Sequence, residues 1–186
     1  MSSIDESKQF VPLNIAVLTI SDSRSLEDDK SGTTLSERLT AAGHKLAARE
    51  IVTDDVEAIR GIIRRWIADA SVDAVITTGG TGFTGRDVTP EAIEPLFEKR
   101  IDGFGEEFRR RSWGATSSYR SSEHEISVGA RAMLSRATAG VVSATIVIAI
   151  PGSPAAVEVA APLLVDMLPH GVEIATGRHG QHAHKK

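Results

Sequence analysis

Apolar residues along the chain fall into short unbroken runs and into longer segments with helical spacing. Four short runs, at residues 15–20, 45–52, 73–78 and 145–150, are rich in β-branched residues and predict strands. The first and last runs are almost wholly apolar, as expected of strands covered on both faces of a sheet. The run at 45–52 is less hydrophobic, which predicts a strand nearer the edge.

Four longer segments predict helices. Gly43 follows the first of them and suits the left-handed position after a helix. Thr89 precedes Pro90 and Ser153 precedes Pro154, and a hydroxyl residue followed by proline is a usual start of a helix. Thr89 is therefore the predicted N-cap of its helix. The predicted helices span residues 31–42, 55–70, 90–99 and 153–168.

Strands that alternate with helices predict an α/β fold, with a mainly parallel sheet between two layers of helices. The chain has 186 residues, of which 41% are hydrophobic and 25% charged, so it can bury one sizeable core. We expect a single α/β domain at residues 11–176. Residues 1–10 and 177–186 are predicted to be flexible tails.

The composition excludes several classes of function. The chain has no cysteine, which excludes disulfides, thiolate metal sites and cysteine catalysis. A net charge of −4 argues against a nucleic-acid-binding surface. No apolar run approaches the roughly 20 residues of a transmembrane helix, and the polar N-terminus is unlike a signal peptide. We predict a cytoplasmic protein that binds neither nucleic acid nor membrane.

The glycine-rich segment at residues 77–91 carries the strongest chemical signal. It follows a buried strand and precedes a helix. Glycines let the backbone approach a ligand closely, and amides freed in such a turn can point at phosphate oxygens. Asp87 adds a carboxylate that could hold a phosphate-bound metal ion. The segment therefore indicates a site for a phosphorylated ligand.

Polar residues and glycines follow all four predicted strands. Ligands of open α/β sheets bind outside the carboxyl ends of the strands, so we expect these residues to line one cleft. They are Ser21, Asp22, Ser23 and Arg24 after the first strand, Thr53, Asp54 and Asp55 after the second, Gly79, Gly80, Thr81 and Gly82 after the third, and Pro151, Gly152, Ser153 and Pro154 after the fourth.

Several of these residues also have a purely structural interpretation. Asp54 fits a helix-capping arrangement, Ser153 fits an N-cap, and Asp22 could close a turn. Asp87 is harder to explain in this way, because Thr89 already supplies a cap for the next helix.

Two common nucleotide-binding motifs do not fit the loop. Residues 80–85 match G-x-G-x-x-G, but that fingerprint opens a helix within the motif and belongs to the first βαβ unit. Here residues 86–89 intervene and the preceding strand is the third. The chain also lacks the P-loop pattern G-x-x-x-x-G-K-[ST]. A dinucleotide-dependent oxidoreductase and a P-loop NTPase are therefore disfavoured.

Two charged runs are predicted to be solvated. The histidine-rich stretch at 179–184 could bind a metal ion, and the arginines at 109–111 could reach phosphates. A solvated tail and a solvated helix face are the simpler interpretations.

The segment at 78–91 closely resembles the MoaB/MogA family of molybdenum cofactor biosynthesis. The resemblance extends over residues 11–167, and the stretch at 27–32 is more similar to the MoaB branch than to the MogA branch. The chain departs from the family pattern in an apparent insertion at 114–123 and at Thr53, where many active members have proline. Further similar motifs lie at residues 16–22, 28–32, 103–106, 133–140 and 151–154.

The resemblance implies a three-layer α/β/α sandwich with the MogA-like molybdopterin-binding fold, assembled as a homotrimer or homohexamer. It also implies a nucleotidyltransferase that adenylylates molybdopterin with ATP and Mg²⁺, releases pyrophosphate, and serves a MoeA-type molybdate-insertion partner. Some MoaB members share this chemistry and others lack it. The alternatives are a non-catalytic molybdopterin-binding protein and an oligomeric scaffold in the same pathway.

The resemblance also assigns roles to individual residues. The family's two important aspartates correspond to Asp54 and Asp87, which are implied to be catalytic and to hold Mg²⁺. The residues implied to bind substrate or nucleotide are Ser21, Asp22, Gly79, Gly80, Thr81, Gly82, Thr89, Glu91, Pro151, Gly152 and Ser153.

Overall fold

The computed structural model describes residues 10–114 and 132–177. Six strands form one sheet in the order β2-β1-β3-β6-β5-β4. The first four strands of this order pair in parallel, and β5 and β4 add two antiparallel pairs. The strands are β1 (Asn14–Ile20), β2 (Lys45–Val52), β3 (Ala74–Thr78), β4 (Lys99–Arg100), β5 (Thr138–Val142) and β6 (Thr145–Ile150). The helices are α1 (Lys30–Ala41), α2 (Val56–Ile67), α3 (Thr89–Ile93), α4 (Asp102–Gly114) and α5 (Pro154–Thr176).

Two hydrophobic clusters, one on each face of the sheet, make the fold a three-layer sandwich. Ile15 and Val17 of β1 belong to the cluster that contains buried residues of α1, α4 and α5. Ala16 and Leu18 belong to the other cluster, with α2 and α3. Successive side chains of a strand point to opposite faces, so β1 can be apolar throughout because helices cover both faces. The predicted α/β class with a mainly parallel sheet is confirmed.

The predicted strands agree closely with the structure, and β2 lies at the sheet edge as expected. The helix predicted at 90–99 is wrong in length, since α3 ends at Ile93 and continues as a single 3₁₀ turn over Glu94–Leu96. Pro95 in this turn has no backbone N–H to donate, which disfavours continuation of the α-helix. The last helix runs eight residues further than predicted, to Thr176 rather than to residue 168.

The pattern of apolar residues did not predict β4 and β5. β4 has two residues, and β5 contains Gly140, whose missing side chain leaves room for the ring of Phe97. The arginines at 109–111 lie on α4, where Arg110 and Arg111 pair with Glu107. The predicted solvated helix face is confirmed for Arg110, whose side chain is 72% exposed, whereas Arg111 is half-buried.

Helix α5 is long and apolar, but Glu158 and Asp166 interrupt it, so it holds no unbroken apolar run of about 20 residues. By length and composition alone it is apolar enough to cross a membrane. Its buried residues, including Val157, Ala160 and Leu164, pack in the core cluster that covers one face of the sheet. Packing against the sheet therefore accounts for the apolar residues on the buried face of this helix.

Several predictions fall on parts of the chain that the structure does not describe. The predicted tails lie outside the described residues except for Phe10 and Gly177. The apparent insertion at 114–123 lies outside them apart from Gly114, and the histidine-rich stretch at 179–184 lies outside them entirely.

The buried carboxylate of Asp29 joins β1, α1 and β2. It accepts hydrogen bonds from Thr19 Oγ1 at 2.7 Å, from the Gly32 amide at 2.9 Å and from Arg49 at 3.0 Å. Burial acts to raise the pKa of Asp29, but the hydrogen bonds from Thr19, Gly32 and Arg49 outweigh it and hold the pKa below its ordinary value. This carboxylate also caps the start of α1, just below the exit of β1.

Gly79 is required where β3 leaves the sheet. Its φ is +112°, and an added Cβ would overlap the carbonyl oxygen of Ile20. We expect Gly79→Ala to cost about 1–3 kcal/mol of unfolding free energy from backbone strain alone, measured by urea denaturation. Gly61→Ala is the matched control, because Gly61 is exposed within α2 and a Cβ there meets no atom within 4 Å. It should gain up to about 1 kcal/mol. Equal unfolding midpoints for the two variants would contradict the requirement for glycine at position 79.

Candidate functional site

A cavity of about 1200 Å³ opens at the carboxyl ends of the parallel strands. The four strand exits converge there, as the sequence predicts. Two residues with a predicted site role, Thr89 and Glu91, do not line it. Three of the strand-exit residues expected in the cleft, Thr53, Asp55 and Pro154, do not line it either. The residues with a predicted site role that do line it are Ser21, Asp22, Asp54, Gly79, Gly80, Thr81, Gly82, Asp87, Pro151, Gly152 and Ser153.

Backbone contacts hold the exits of β3 and β6 together. The Gly79 amide donates to the Ile150 carbonyl at 3.0 Å, and Thr78 Oγ1 donates to the Pro151 carbonyl at 3.2 Å. A Cβ added at Gly152 would lie 3.0 Å from the Gly79 Cα. Glycines at both positions therefore let the two turns pack backbone to backbone.

Thr89 supports the glycine loop from inside the protein. It is fully buried, its Oγ1 donates to the Gly79 carbonyl at 2.9 Å, and its amide donates to the Gly80 carbonyl at 3.0 Å. The predicted N-cap role of Thr89 is wrong, because helix α3 is preceded by Val88 and has no side-chain cap. The hydroxyl instead satisfies a loop carbonyl that the turn leaves without a partner in the sheet.

Asp54 faces the loop rather than its own helix. The N-cap of α2 is Asp55, which accepts from the Ala58 amide at 2.8 Å, so the capping interpretation of Asp54 is wrong. A Cβ added at Gly80 would lie 2.7 Å from Asp54 Oδ1, which places this carboxylate against the glycine loop. The Asp54 amide donates to Asp22 Oδ1 at 3.0 Å, and this bond joins the exits of β1 and β2.

Asp54 lies in an unfavourable electrostatic environment. Burial raises its pKa, and the neighbouring negative charges of Asp22 and Asp87 raise it further. The positive charge of Arg86 acts in the opposite direction without reversing the shift. The side chain of Arg86 is 80% exposed, so solvent screens its charge. Without a further cation, ionised Asp54 remains incompletely compensated.

Asp87 contacts the other end of the same loop. Its Oδ2 accepts from the Thr84 amide at 2.9 Å and from Thr84 Oγ1 at 2.6 Å. The hydrogen bond from the Thr84 hydroxyl is the largest influence and lowers the pKa of Asp87, so this carboxylate is ionised at neutral pH. A Cβ added at Gly82 would lie 2.9 Å from Asp87 Oδ2. Asp54 and Asp87 therefore lie against glycines two residues apart in sequence.

These two carboxylates suit a shared cation better than a cage made by the protein alone. No group of three or more His, Asp or Glu side chains with metal-binding geometry occurs within residues 10–114 and 132–177. Mg²⁺ is commonly held by one or two carboxylates together with substrate phosphates and water. The donor set of Asp54 and Asp87 fits that arrangement.

Two arginines line the cavity, Arg24, which was expected there as a strand-exit residue, and Arg86, to which the sequence analysis assigned no role. Arg24 donates to Ser31 Oγ at 2.9 Å and to the Gly152 carbonyl at 3.3 Å, which ties the β1 exit to the β6 exit. Arg86 lies 3.7 Å from Asp22 Oδ2. An arginine in the polar segment after a strand often contacts phosphate. This feature of the sequence could have indicated a phosphate-binding role for both residues. An apolar wall from Phe108 and Leu134 was missed as well.

The remaining predicted residues have clear positions. Ser153 accepts from the Ala156 amide at 3.2 Å, so its predicted N-cap role is confirmed, and it also lines the cavity. Glu91 lines a neighbouring cavity of about 680 Å³, where it pairs with Arg136. The structure thus separates Glu91 from the two aspartates.

Comparison with known proteins identifies the family. Residues 16–170 match the model of a family described as a probable molybdopterin binding domain. Molybdenum cofactor biosynthesis protein B of Bacillus subtilis is 42% identical over 173 residues, which cover 91% of this chain and 95% of the relative.

Solved structures give the same result. The crystal structure of a molybdenum cofactor biosynthesis protein B matches with a TM-score of 0.82 and 39% identity, covering 91% of this chain and 99% of that one. The tungsten cofactor synthesizing protein MoaB from Pyrococcus furiosus matches with a TM-score of 0.74 and 32% identity, covering 88% and 97%. The chain therefore belongs to the molybdopterin-binding domain family, together with molybdenum cofactor biosynthesis protein B.

Proposed function

We propose that this protein acts in molybdenum cofactor biosynthesis by adenylylating molybdopterin with ATP and Mg²⁺. The observation that carries the proposal is the pair of carboxylates, Asp54 and Asp87, held against one glycine-rich loop in the main cavity. The family match and the names of the relatives support molybdopterin as the substrate.

The size of the cavity supports two ligands. Sites for a single drug-sized molecule usually measure about 300–1,000 Å³, and this cavity measures about 1200 Å³. We place the nucleotide phosphates at the glycine loop, where amides of residues 79–82 can approach them. The pterin would lie towards Ser21, Asp22 and the turn at 151–153.

In the proposed reaction an oxygen of the molybdopterin phosphate attacks the α-phosphorus of ATP. The new P–O bond gives adenylyl-molybdopterin, and the bond to the β-phosphate breaks so that pyrophosphate leaves with the electron pair. Asp54 and Asp87 would hold Mg²⁺, which neutralises charge on the phosphates. Arg24 and Arg86 would bind phosphate oxygens and orient the two reactants.

Other features of the proposal rest on the family resemblance. We propose a homotrimer or homohexamer, a cytoplasmic location and transfer of the product to a MoeA-type insertion partner. Sedimentation of the purified protein tests the oligomeric state directly. A monomer would contradict that part of the proposal without affecting the proposed chemistry.

A non-catalytic molybdopterin-binding protein is the alternative, and Thr53 favours it. Many active members of the family have proline before the corresponding aspartate, and proline restricts the backbone of the residue that precedes it. With threonine at position 53, the backbone of Val52 is free of that restriction. The carboxylate of Asp54 is retained. A scaffold that only gathers other proteins of the pathway would need neither aspartate.

The central prediction concerns transfer activity. The parent, incubated with molybdopterin, ATP and Mg²⁺, should yield adenylyl-molybdopterin and an equal amount of pyrophosphate. Asp87→Ala and Asp54→Ala should each lower the rate at least about 100-fold, because metal neutralisation of phosphate charge contributes several kcal/mol. The rate is measured by chromatography of the nucleotide products.

Asp55→Asn is the matched control for this assay. Asp55 adjoins Asp54 but caps α2, and asparagine caps a helix as well as aspartate does. Its rate should equal that of the parent. An inactive parent that still binds molybdopterin in calorimetry would favour the binding protein. Capture of pathway partners by an Asp54→Ala/Asp87→Ala double variant as well as by the parent would favour the scaffold.

A second prediction concerns stability in the absence of ligands. Because the folded-state pKa of Asp54 is raised, ionisation destabilises the fold once the pH exceeds the ordinary carboxyl pKa of about 3.9. Asp54→Asn should therefore stabilise the protein at pH 7 by about 0.5–2 kcal/mol, the usual range for relieving an unfavourable charge. The gain should disappear below about pH 4, where both forms are neutral.

Urea unfolding at pH 7 and pH 3.5, with divalent cations chelated, measures this gain. Asp55→Asn should show no comparable gain at either pH. A loss of stability for Asp54→Asn at pH 7 would show that the Asp54 carboxylate is a stabilising structural group.

A further inference from the structure

The guanidinium group of Arg136 joins several parts of the glycine loop from behind. Its Nε donates to the Gly82 carbonyl at 2.9 Å and to the Thr81 carbonyl at 3.4 Å. Its Nη2 donates to the Asp87 carbonyl at 2.8 Å. One planar group therefore fixes the backbone on both sides of the loop tip, including the residue that bears a site carboxylate.

The loop tip contacts the same guanidinium group. The Arg136 Cζ atom lies 5.8 Å from the centroid of the Phe83 ring, within cation–π range. Phe83 is 67% exposed, so few other contacts restrain it. Residues 81–87 thus surround Arg136 at their start, tip and end.

Glu91 completes the arrangement. Its carboxylate pairs with Arg136 Nη1, and both residues line the cavity next to the main one. The ion pair with Glu91 orients the guanidinium plane of Arg136. The Arg136 side chain is 25% exposed, so it is largely enclosed by these contacts.

We infer that Arg136 is a positioning residue that sets the place of Asp87 and of the loop amides relative to Asp54, with Glu91 as its anchor. Arg136 acts through the loop backbone and contacts neither reactant. The inference rests on the proposed function, because it assumes that Asp87 takes part in the proposed reaction. It also gives Glu91 a role that does not require contact with a ligand.

Lysine cannot reproduce this geometry. The contacts to the Gly82 carbonyl, the Asp87 carbonyl and Glu91 come from three different nitrogens of one rigid fork, whereas lysine offers a single ammonium group. Arg136→Lys therefore keeps the charge and removes the fixed directions. Arg136→Gln removes both.

The test measures transfer kinetics and amide hydrogen exchange on the full chain. Arg136→Gln should lower kcat about 100-fold, the loss typical of a misplacement of about 1 Å, and change KM for ATP much less. Arg136→Lys should lower kcat about tenfold or more and serves as the second variant if glutamine impairs folding. In both variants, exchange should quicken about tenfold at residues 80–87 and stay at the parental rate in β3 and β6.

Arg100→Gln is the matched control. Arg100 pairs with Glu94 and Asp102 and lines the same neighbouring cavity, but the described contacts of its side chain do not include the loop. It should leave kcat and loop exchange at parental values.

Three results would overturn the inference. They are a kcat of Arg136→Gln within twofold of the parent, a rescue by lysine to the parental kcat, and exchange that rises equally in β3, β6 and the loop. If the parent itself yields no adenylylated product, the proposed function fails. Hydrogen exchange then decides the inference about the loop, and unchanged exchange at residues 80–87 overturns it.

Discussion

The close approach of β3 to β1 at Gly79 is the constraint on which the site depends. Thr78 pairs with Thr19 on one side and with Ile150 on the other, so three parallel strands end at the same level. Gly79 then turns with positive φ directly against the Ile20 carbonyl, where no side chain fits. A Cβ at this position would push the loop outwards and separate its amides from Asp54. Sheet register and one glycine thus determine where the cavity lies.

Two carboxylates near the end of β1 have opposite environments, one stabilising the fold and the other lying in the cavity with an unfavourable charge. Asp29 is buried and fully paired, and its hydrogen bonds hold its pKa below the ordinary value. Asp54 is only half-buried, yet burial and the charges of Asp22 and Asp87 raise its pKa. A strained charge in a cleft indicates a functional residue more strongly than a satisfied one. The stability lost at Asp54 is what a bound cation would restore.

The sequence predicted the parallel core well and the side-chain roles less well. Apolar runs define β1, β3 and β6, and parallel strands bring their exits together in any order of the sheet. The cap assigned to Thr89 failed because a hydroxyl before a helix looks the same whether it turns to its own helix or to a distant carbonyl. In the structure the Thr89 hydroxyl donates to the carbonyl of Gly79, ten residues earlier in the chain. β5 was missed because five residues with a central glycine give little periodic signal.

The segment at 78–91 behaves as one folded unit rather than as a row of ligand contacts. Asp87 and the glycines at 79, 80 and 82 line the main cavity. Thr89 is buried beneath the loop, and Glu91 anchors Arg136 behind it. Removing a rear contact would shift the front of the loop and thereby weaken catalysis or binding. Lost activity on changing Thr89 or Glu91 is therefore the expected consequence of their support of the loop, and it would not demonstrate contact with substrate.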